Sequence, residues 1–152
     1  MHKKIVHSFL ITFLITFILG FGLLYLSLYK ASISQDRQYL MNTVKLIKNL
    51  DIDDLNTTRL GDTFKSEDIR ITIIKQNGKV LYDNYKDKIS EKHLQREEVK
   101  EAITQGTGTC IRYSNTMQRS YLYVADYEED NQTIVRLAMP FDGLSQSISI
   151  LL

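Results

Sequence analysis

The alternation of apolar and polar positions divides this chain sharply. Residues 9–29 read FLITFLITFILGFGLLYLSLY, a run of 21 residues without a charged side chain. At a rise of 1.5 Å per residue a helix of that length spans about 31 Å, close to the hydrocarbon thickness of a bilayer. Beyond Lys30 the pattern becomes polar and periodic. The chain closes on Ser-Ile-Ser-Ile-Leu-Leu, residues 147–152, which reads as the start of a second apolar segment.

Periodicity assigns the middle of the chain element by element. In residues 31–50, Ile33, Leu40, Val44 and Ile47 fall on one helical face. No Gly or Pro separates this stretch from the apolar run, so one continuous helix is expected. The spacing of Leu40, Val44 and Ile47 also suits a short coiled-coil seam, either packed on its own domain or forming a dimer contact that passes motion to the membrane. Residues 51–67 are polar and broken, and they read as a surface loop. Asp51, Asp53 and Asp54 lack the alternating ligands, central Gly and closing Glu of a calcium loop.

A β signal follows. Residues 69–75 are β-branched and alternate, residues 80–83 form a second run, and Asn77-Gly78, both able to take positive φ, stands between them, which predicts a hairpin. Residues 90–104 read as a helix with Leu94, Val99, Ala102 and Ile103 on its apolar face, Ser90 as its cap, His93 at the third capping position and Gly106 as its stop. Strands are expected at 109–114, 120–127 and 133–139, joined at 128–132 by a solvated loop. Pro140 closes the last strand, and an exit helix begins after it.

The expected fold class is α+β. Its organisation is a cytoplasmic N-terminus (1–8), a transmembrane helix (9–29), a membrane-proximal helix (30–50), an extracytoplasmic domain (51–140), and an exit helix starting a truncated second membrane segment (141–152). Five antiparallel strands with a helix inserted after the second, entered by a long helix, resemble the plan of PAS-like sensor domains.

Charge sharpens this picture. Lys3 and Lys4 precede the apolar run, which leaves 17 basic against 18 acidic side chains in residues 30–152, a net of −1. Such a balance offers no basic face for nucleic acid. The two lysines place the N-terminus in the cytoplasm and the domain outside the plasma membrane. A cleaved signal peptide would have a shorter apolar core and a small-x-small site after it, and Tyr29-Lys30-Ala31-Ser32 is a poor one. The single cysteine, Cys110, cannot form an intrachain disulfide and reads as a small buried hydrophobe, with pairing between chains as the alternative.

Candidate chemistry is sparse. His93 is the only histidine after the apolar run, and neither a Cys110/His93 pair nor a set of His93 with Asp83 or Asp126 has catalytic or metal-ligand spacing. No catalytic residue, metal or cofactor is therefore expected. Gly106-Thr-Gly108 follows its helix and reads as a turn, since a phosphate loop would precede it. A binding pocket remains. On strand 120–127, Tyr121, Tyr123, Ala125 and Tyr127 share one face. Arg112, beside these tyrosines, has a donor fork suited to an anion, with Asp83 and His93 as further candidate contacts. The competing expectation leaves Arg112 and Arg136 solvated or paired across strands with Asp126, and the tyrosines as half-buried sheet residues.

The residues then become familiar. Arg70-Ile-Thr-Ile-Ile-x-x-x-Gly78-Lys-Val-Leu-Tyr-Asp83 resembles the exported sensor domain of phosphate-regulon (PhoR-type) two-component histidine kinases of Gram-positive bacteria. The pattern continues through His93-x-x-Arg96-x-Glu98-Val99, Gly106-Thr-Gly108-x-x-x-Arg112-Tyr-Ser114, Leu122-Tyr-Val-Ala125 and Val135-Arg-Leu-Ala-x-Pro140. Glu97 stands where that family's helix carries Pro. The resemblance implies a PDC/Cache-type, PAS-like sensor, the N-terminal part of a kinase that works as a homodimer and senses a small ligand or none. The kinase's phosphoacceptor and ATP-binding parts do not occur in these residues, so a response regulator would be reached only through them. The alternative is a stand-alone, membrane-anchored PAS-like binding or regulatory protein.

Overall fold

The structure is a computed structural model, and it describes residues 2–49, 60–85, 93–115 and 118–141. The chain forms two compact units, one taking in the N-terminal stretch to Ser34 and the other Gln35–Asp142. Helix α1 runs His2–Lys48. In the first unit its apolar side chains, from Ile5 to Leu28, are all exposed. The two threonines of this stretch satisfy their hydroxyls internally: Thr12 Oγ1 donates to the Phe9 carbonyl and Thr16 Oγ1 to the Phe13 carbonyl, each at 2.9 Å. With these hydroxyls satisfied within the helix and an uncharged apolar run of this length, it has the length and composition to cross a bilayer.

The second unit is a five-stranded antiparallel sheet with a helix on it, so the α+β class and the PAS-like plan hold. Its elements are α2 (Leu60–Ser66), β1 (Arg70–Lys75), β2 (Val80–Asp83), a 3₁₀ turn (His93–Gln95), α3 (Glu97–Gln105), β3 (Thr107–Ser114), β4 (Arg119–Glu128) and β5 (Thr133–Pro140). The strand order is β2-β1-β5-β4-β3. The exit helix and the Ser90 cap fall outside the described residues.

Alternation along the strands produces two different faces. One carries Ile71, Ile73, Leu122, Val124, Val135 and Leu137, all buried. Asp126 lies on this face, and its carboxylate takes the Lys48 ammonium of α1 at 2.5 Å, which anchors the end of α1 here. Leu40, Val44 and Ile47 are buried on the same helix. The expected seam is thus covered within one chain, and the exposed apolar residues of this part of α1 are Tyr39 and Leu46 instead. The opposite face carries α3, where Val99 and Ala102 pack on Ile74, Ala125 and Ile134.

Two local expectations change. The loop expected over 51–67 contains α2, which is held by tertiary contacts that its composition does not announce. Asn84 Nδ2 donates to the Gly61 carbonyl at 3.1 Å, and Tyr82 packs where Gly61 has no Cβ. The hairpin forms, but only Gly78 has positive φ, at 88°. Asn77 Oδ1 accepts the Lys79 N–H at 3.0 Å, and Gly78 N–H closes the turn on the Lys75 carbonyl. The result is a three-residue loop with a register shift between Ile73 and Ile74.

The glycines after α3 have separate tasks. Gly106, with φ 85°, caps α3 by donating to the Ala102 carbonyl. Gly108 lies within β3 and not in a turn. A Cβ there would collide with the Glu98 carbonyl and meet Ala102 N at 2.9 Å, so the helix backbone lies directly on the strand. Gly108→Ala is expected to force α3 off the sheet and lower stability by about 2–4 kcal/mol, of the order of a severe core clash. Urea unfolding of the full chain in detergent measures this; Gly106→Ala meets no atom, so its cost is the backbone strain of φ 85° alone, with no displacement of α3.

Candidate functional site

The α3 face of the sheet is arranged in rows set by strand register. An apolar row of Ile74, Ile134 and Tyr127 gives way to Thr72, Arg136 and Ala125, then to Arg70, Ala138, Tyr123 and Cys110, and finally to Tyr121 and Arg112. Close approach at Gly108 aims α3 at the middle of this field, and Glu98 is the residue it delivers. Glu98 is fully buried, and two guanidiniums hold its carboxylate. Arg112 Nη1 donates to Oε2 at 3.2 Å, while Arg136 Nε lies 3.0 Å from Oε1 as a charge contact without hydrogen-bond alignment. Both guanidiniums stack on the Tyr123 ring, at 4.3 Å for Arg112 and 4.8 Å for Arg136. On its other side Arg136 Nη1 meets His93 Nδ1 at 3.0 Å.

The electrostatics follow burial. Loss of water pulls the Arg136 guanidinium down from its usual range, opposed by the charge of Glu98, and Arg70 adds to the downward pull. Burial also pulls Arg112 down, but the Glu98 carboxylate and its hydrogen bond outweigh it and the net displacement is upward. Burial is the main cause that lifts the Cys110 thiol, to about 11, helped by its hydrogen bond to Glu97 and the charges of Glu98 and Glu97.

The residues expected to line one pocket are held by three sets of polar contacts, joined where the Tyr121 and Tyr123 rings pack 6.1 Å apart. Arg112, Tyr123 and His93 meet in the Glu98 cluster. Asp83 instead grips Arg70, which donates Nε and Nη2 to its carboxylate at 3.1 and 2.8 Å, and Asp83 also receives Thr72 Oγ1 at 3.3 Å. Tyr121 receives Arg119 at its hydroxyl, and Arg119 also pairs with Asp68 at 2.8 Å. A narrow cleft remains beside these groups, lined by Arg70, Tyr85, Ser114, Tyr121, Tyr123 and Ala138, with room for about one water. Burial and the nearby Asp68 charge push the Tyr85 hydroxyl up.

The expected pairing of Arg112 and Arg136 with Asp126 does not occur, because Asp126 lies on the opposite face with Lys48. His93 is no helix cap. It sits buried in the 3₁₀ turn, and the residue at the cap of α3 is Arg96. Glu98 and Arg136 were missed as site residues. A signal for Glu98 existed, since Leu94, Glu98 and Ala102 are spaced by four, placing a carboxylate in the middle of an apolar stripe.

No family model matches the chain, and no characterised protein matches its sequence. Solved structures do. The ligand-binding domain of Campylobacter jejuni chemoreceptor Tlp3, in complex with 4-methylisoleucine, superposes with a TM-score of 0.56 at 14% identity, covering 77% of this chain and 54% of that one. The extracellular domain of histidine kinase rpHK1S-Z16 gives 0.44 at 12% identity, over 56% of this chain and 37% of that one. The Bacillus subtilis YkuI protein, with an EAL domain and c-di-GMP and calcium bound, gives 0.49 at 13%, over 76% and 33%. This chain therefore spans about half the length of the Tlp3 domain and shares its fold over that part.

Two outcomes are expected of the cluster. Glu98→Ala, which leaves Arg136 buried beside no carboxylate, should cost about 3–5 kcal/mol, whereas adding Arg136→Leu should restore part of the loss. Denaturant titration of the three proteins reads the difference. For Cys110, alkylation by iodoacetamide should rise about tenfold per pH unit from 7 to 10 without levelling off, unlike an ordinary thiol. Mass spectrometry of the modified chain follows it.

Proposed function

We propose that this chain is the extracytoplasmic signal-sensing region of a membrane-bound receptor, of the phosphate-regulon-like two-component histidine kinase kind. The observation that carries this reading is the succession within one chain of a lipid-compatible helix and a PAS-like sheet roofed by a helix. The fold shared with a chemoreceptor ligand-binding domain supports a sensing role, and the ordered motifs from Arg70 to Pro140 support the kinase subtype. In this reading the chain itself performs no phosphoryl transfer. Its N-terminus is cytoplasmic, with the folded unit outside the plasma membrane.

The tight pairing of Arg112 with Glu98 moves any small ligand away from Arg112 and toward the cleft at Arg70, Tyr85 and Tyr121. A homodimer, if it carries the signal, uses the outward face of α1. Leu40, Val44 and Ile47 are occupied by their own sheet, so the contact falls on Tyr39 and Leu46, seven positions apart and exposed.

One set of single-cysteine variants tests orientation and assembly together, in a Cys110→Ser background expressed in membranes. Asn77→Cys, on the exposed hairpin, should react with a membrane-impermeant maleimide in intact cells. Leu46→Cys should crosslink between chains, while Leu40→Cys should not. Labelling of Asn77→Cys only after lysis would overturn the outside location, and crosslinking at Leu40 in preference to Leu46 would overturn the assignment of faces.

A further inference from the structure

The two edges of the sheet are finished differently. At one edge β2 has four residues, and its register against β1 shifts between Ile73 and Ile74. Short, irregular edges of this kind resist further pairing. At the other edge β3 runs eight residues, Thr107–Ser114, in unbroken register with β4. It contains no Lys or Pro, and its one charged side chain, Arg112, turns onto the α3 face toward Glu98. The residues that usually blunt an edge strand are missing from it.

Strand parity tells which backbone groups of β3 point outward. Tyr127 N–H donates to the Gly106 carbonyl, so in the register that pairs Thr107 with Asp126 the even-numbered residues bond to β4. Thr107, Thr109, Ile111 and Tyr113 turn their N–H and C=O groups to the outside. Glu101 of α3 covers one of these, its carboxylate accepting the Thr109 N–H at 2.9 Å. The backbone of Ile111 and Tyr113 has no such cover among the described residues. Their side chains are 40% and 53% exposed, and no other large apolar side chain of the described strands is exposed.

We propose that this edge is a self-association surface, on which β3 pairs antiparallel with β3 of a second copy about a twofold axis at Ile111. Charge selects both the partner and the register. With Ile111 opposite its own copy, Cys110 lies opposite Arg112 of the second copy. Glu97, whose carboxylate is 3.2 Å from Cys110 Sγ, then faces that guanidinium, and symmetry makes the pairing twice. Arg112 has room for it, since 27% of its side chain stays exposed beside Glu98. An axis at Cys110 would bring two Glu97 carboxylates together, and one at Arg112 would oppose two guanidiniums. Like charges directly opposite destabilise a sheet. About Ile111, the two Ile111 residues exchange both backbone bonds, and each Tyr113 N–H reaches the Thr109 carbonyl of the other copy with the Glu101 contact intact. The surface is separate from Tyr39 and Leu46 on α1, and it does not depend on the sensing role.

A single strand edge is small beside the about 800 Å² per partner of a stable interface, so the test uses the full chain in membranes, where chains are concentrated. In a Cys110→Ser background, Ile111→Cys should crosslink between chains under mild oxidation several-fold more than Tyr113→Cys. The register sets the two Ile111 positions about 5.5 Å apart at Cα, within disulfide reach, and the two Tyr113 positions about 14 Å apart. Random collision predicts the reverse, because Tyr113 is the more exposed. A chain with Thr109→Cys and Tyr113→Cys should also crosslink to its copy, and adding Ile111→Pro should abolish that. The proline removes an N–H that points away from β4, so circular dichroism should not change. Should it change, Ile111→Lys, which sets like charges on the axis, takes its place. Three results would each overturn the proposal: no crosslink at Ile111→Cys, crosslinking of Tyr113→Cys as readily as Ile111→Cys, or a 109–113 crosslink that survives the substitution at Ile111.

Discussion

A carboxylate taken fully out of water needs cations within contact distance to offset its lost hydration. Glu98 meets that demand through Arg112 and Arg136, and much of the folded unit is arranged so that it can. Gly108 lets α3 come close enough. The Tyr123 ring meets both guanidiniums, and Arg136 Nη1 reaches His93 Nδ1. Ion pairs of this kind contribute modestly to net stability, because desolvation offsets most of the attraction. What they supply is direction, since both guanidiniums meet the Glu98 carboxylate only where α3 lies close on the sheet.

The two faces of the sheet thus differ in kind. The face toward α1 is an apolar layer closed by one peripheral ion pair, Lys48 with Asp126. It tolerates small shifts, because contacts between hydrocarbon surfaces are non-directional. The α3 face is directional, each contact depending on a particular oxygen or nitrogen. A stimulus that reaches the α3 face changes discrete hydrogen bonds, and such an element has a small number of arrangements instead of a continuum.

Much of the fold was legible in the chain. Alternation in residues 69–75 and 80–83 with Asn-Gly between them located the first hairpin. The spacing of β-branched and aromatic residues located the other strands within one or two positions. Period two also put Tyr121, Tyr123, Ala125 and Tyr127 together. The site was less legible, because its pairs join residues 14 to 43 positions apart, and charge alone names no partner over that distance. Arg136 was set against Asp126 because both lie on neighbouring strands, yet their parity puts them on opposite faces, which register makes plain once β4 and β5 are aligned. Helix α2 was read as loop because Gly61 and Asp62 are weak helix formers. What holds it comes from Asn84 and Tyr82, more than twenty residues later.

The strand order has a consequence for how the chain is made. Strands β3, β4 and β5 follow one another and pair with their sequence neighbours, whereas β1 is completed on its inner edge by β5, with Arg70 opposite Ala138. During synthesis the first hairpin therefore emerges well before the strand that joins it to the rest. For that interval its β-branched inner edge, Ile71 through Ile74, has no backbone partner from its own sheet. Closing this long-range pairing is the entropically costly step, and it makes the arrival of β5 the event that turns two separate hairpin systems into one sheet.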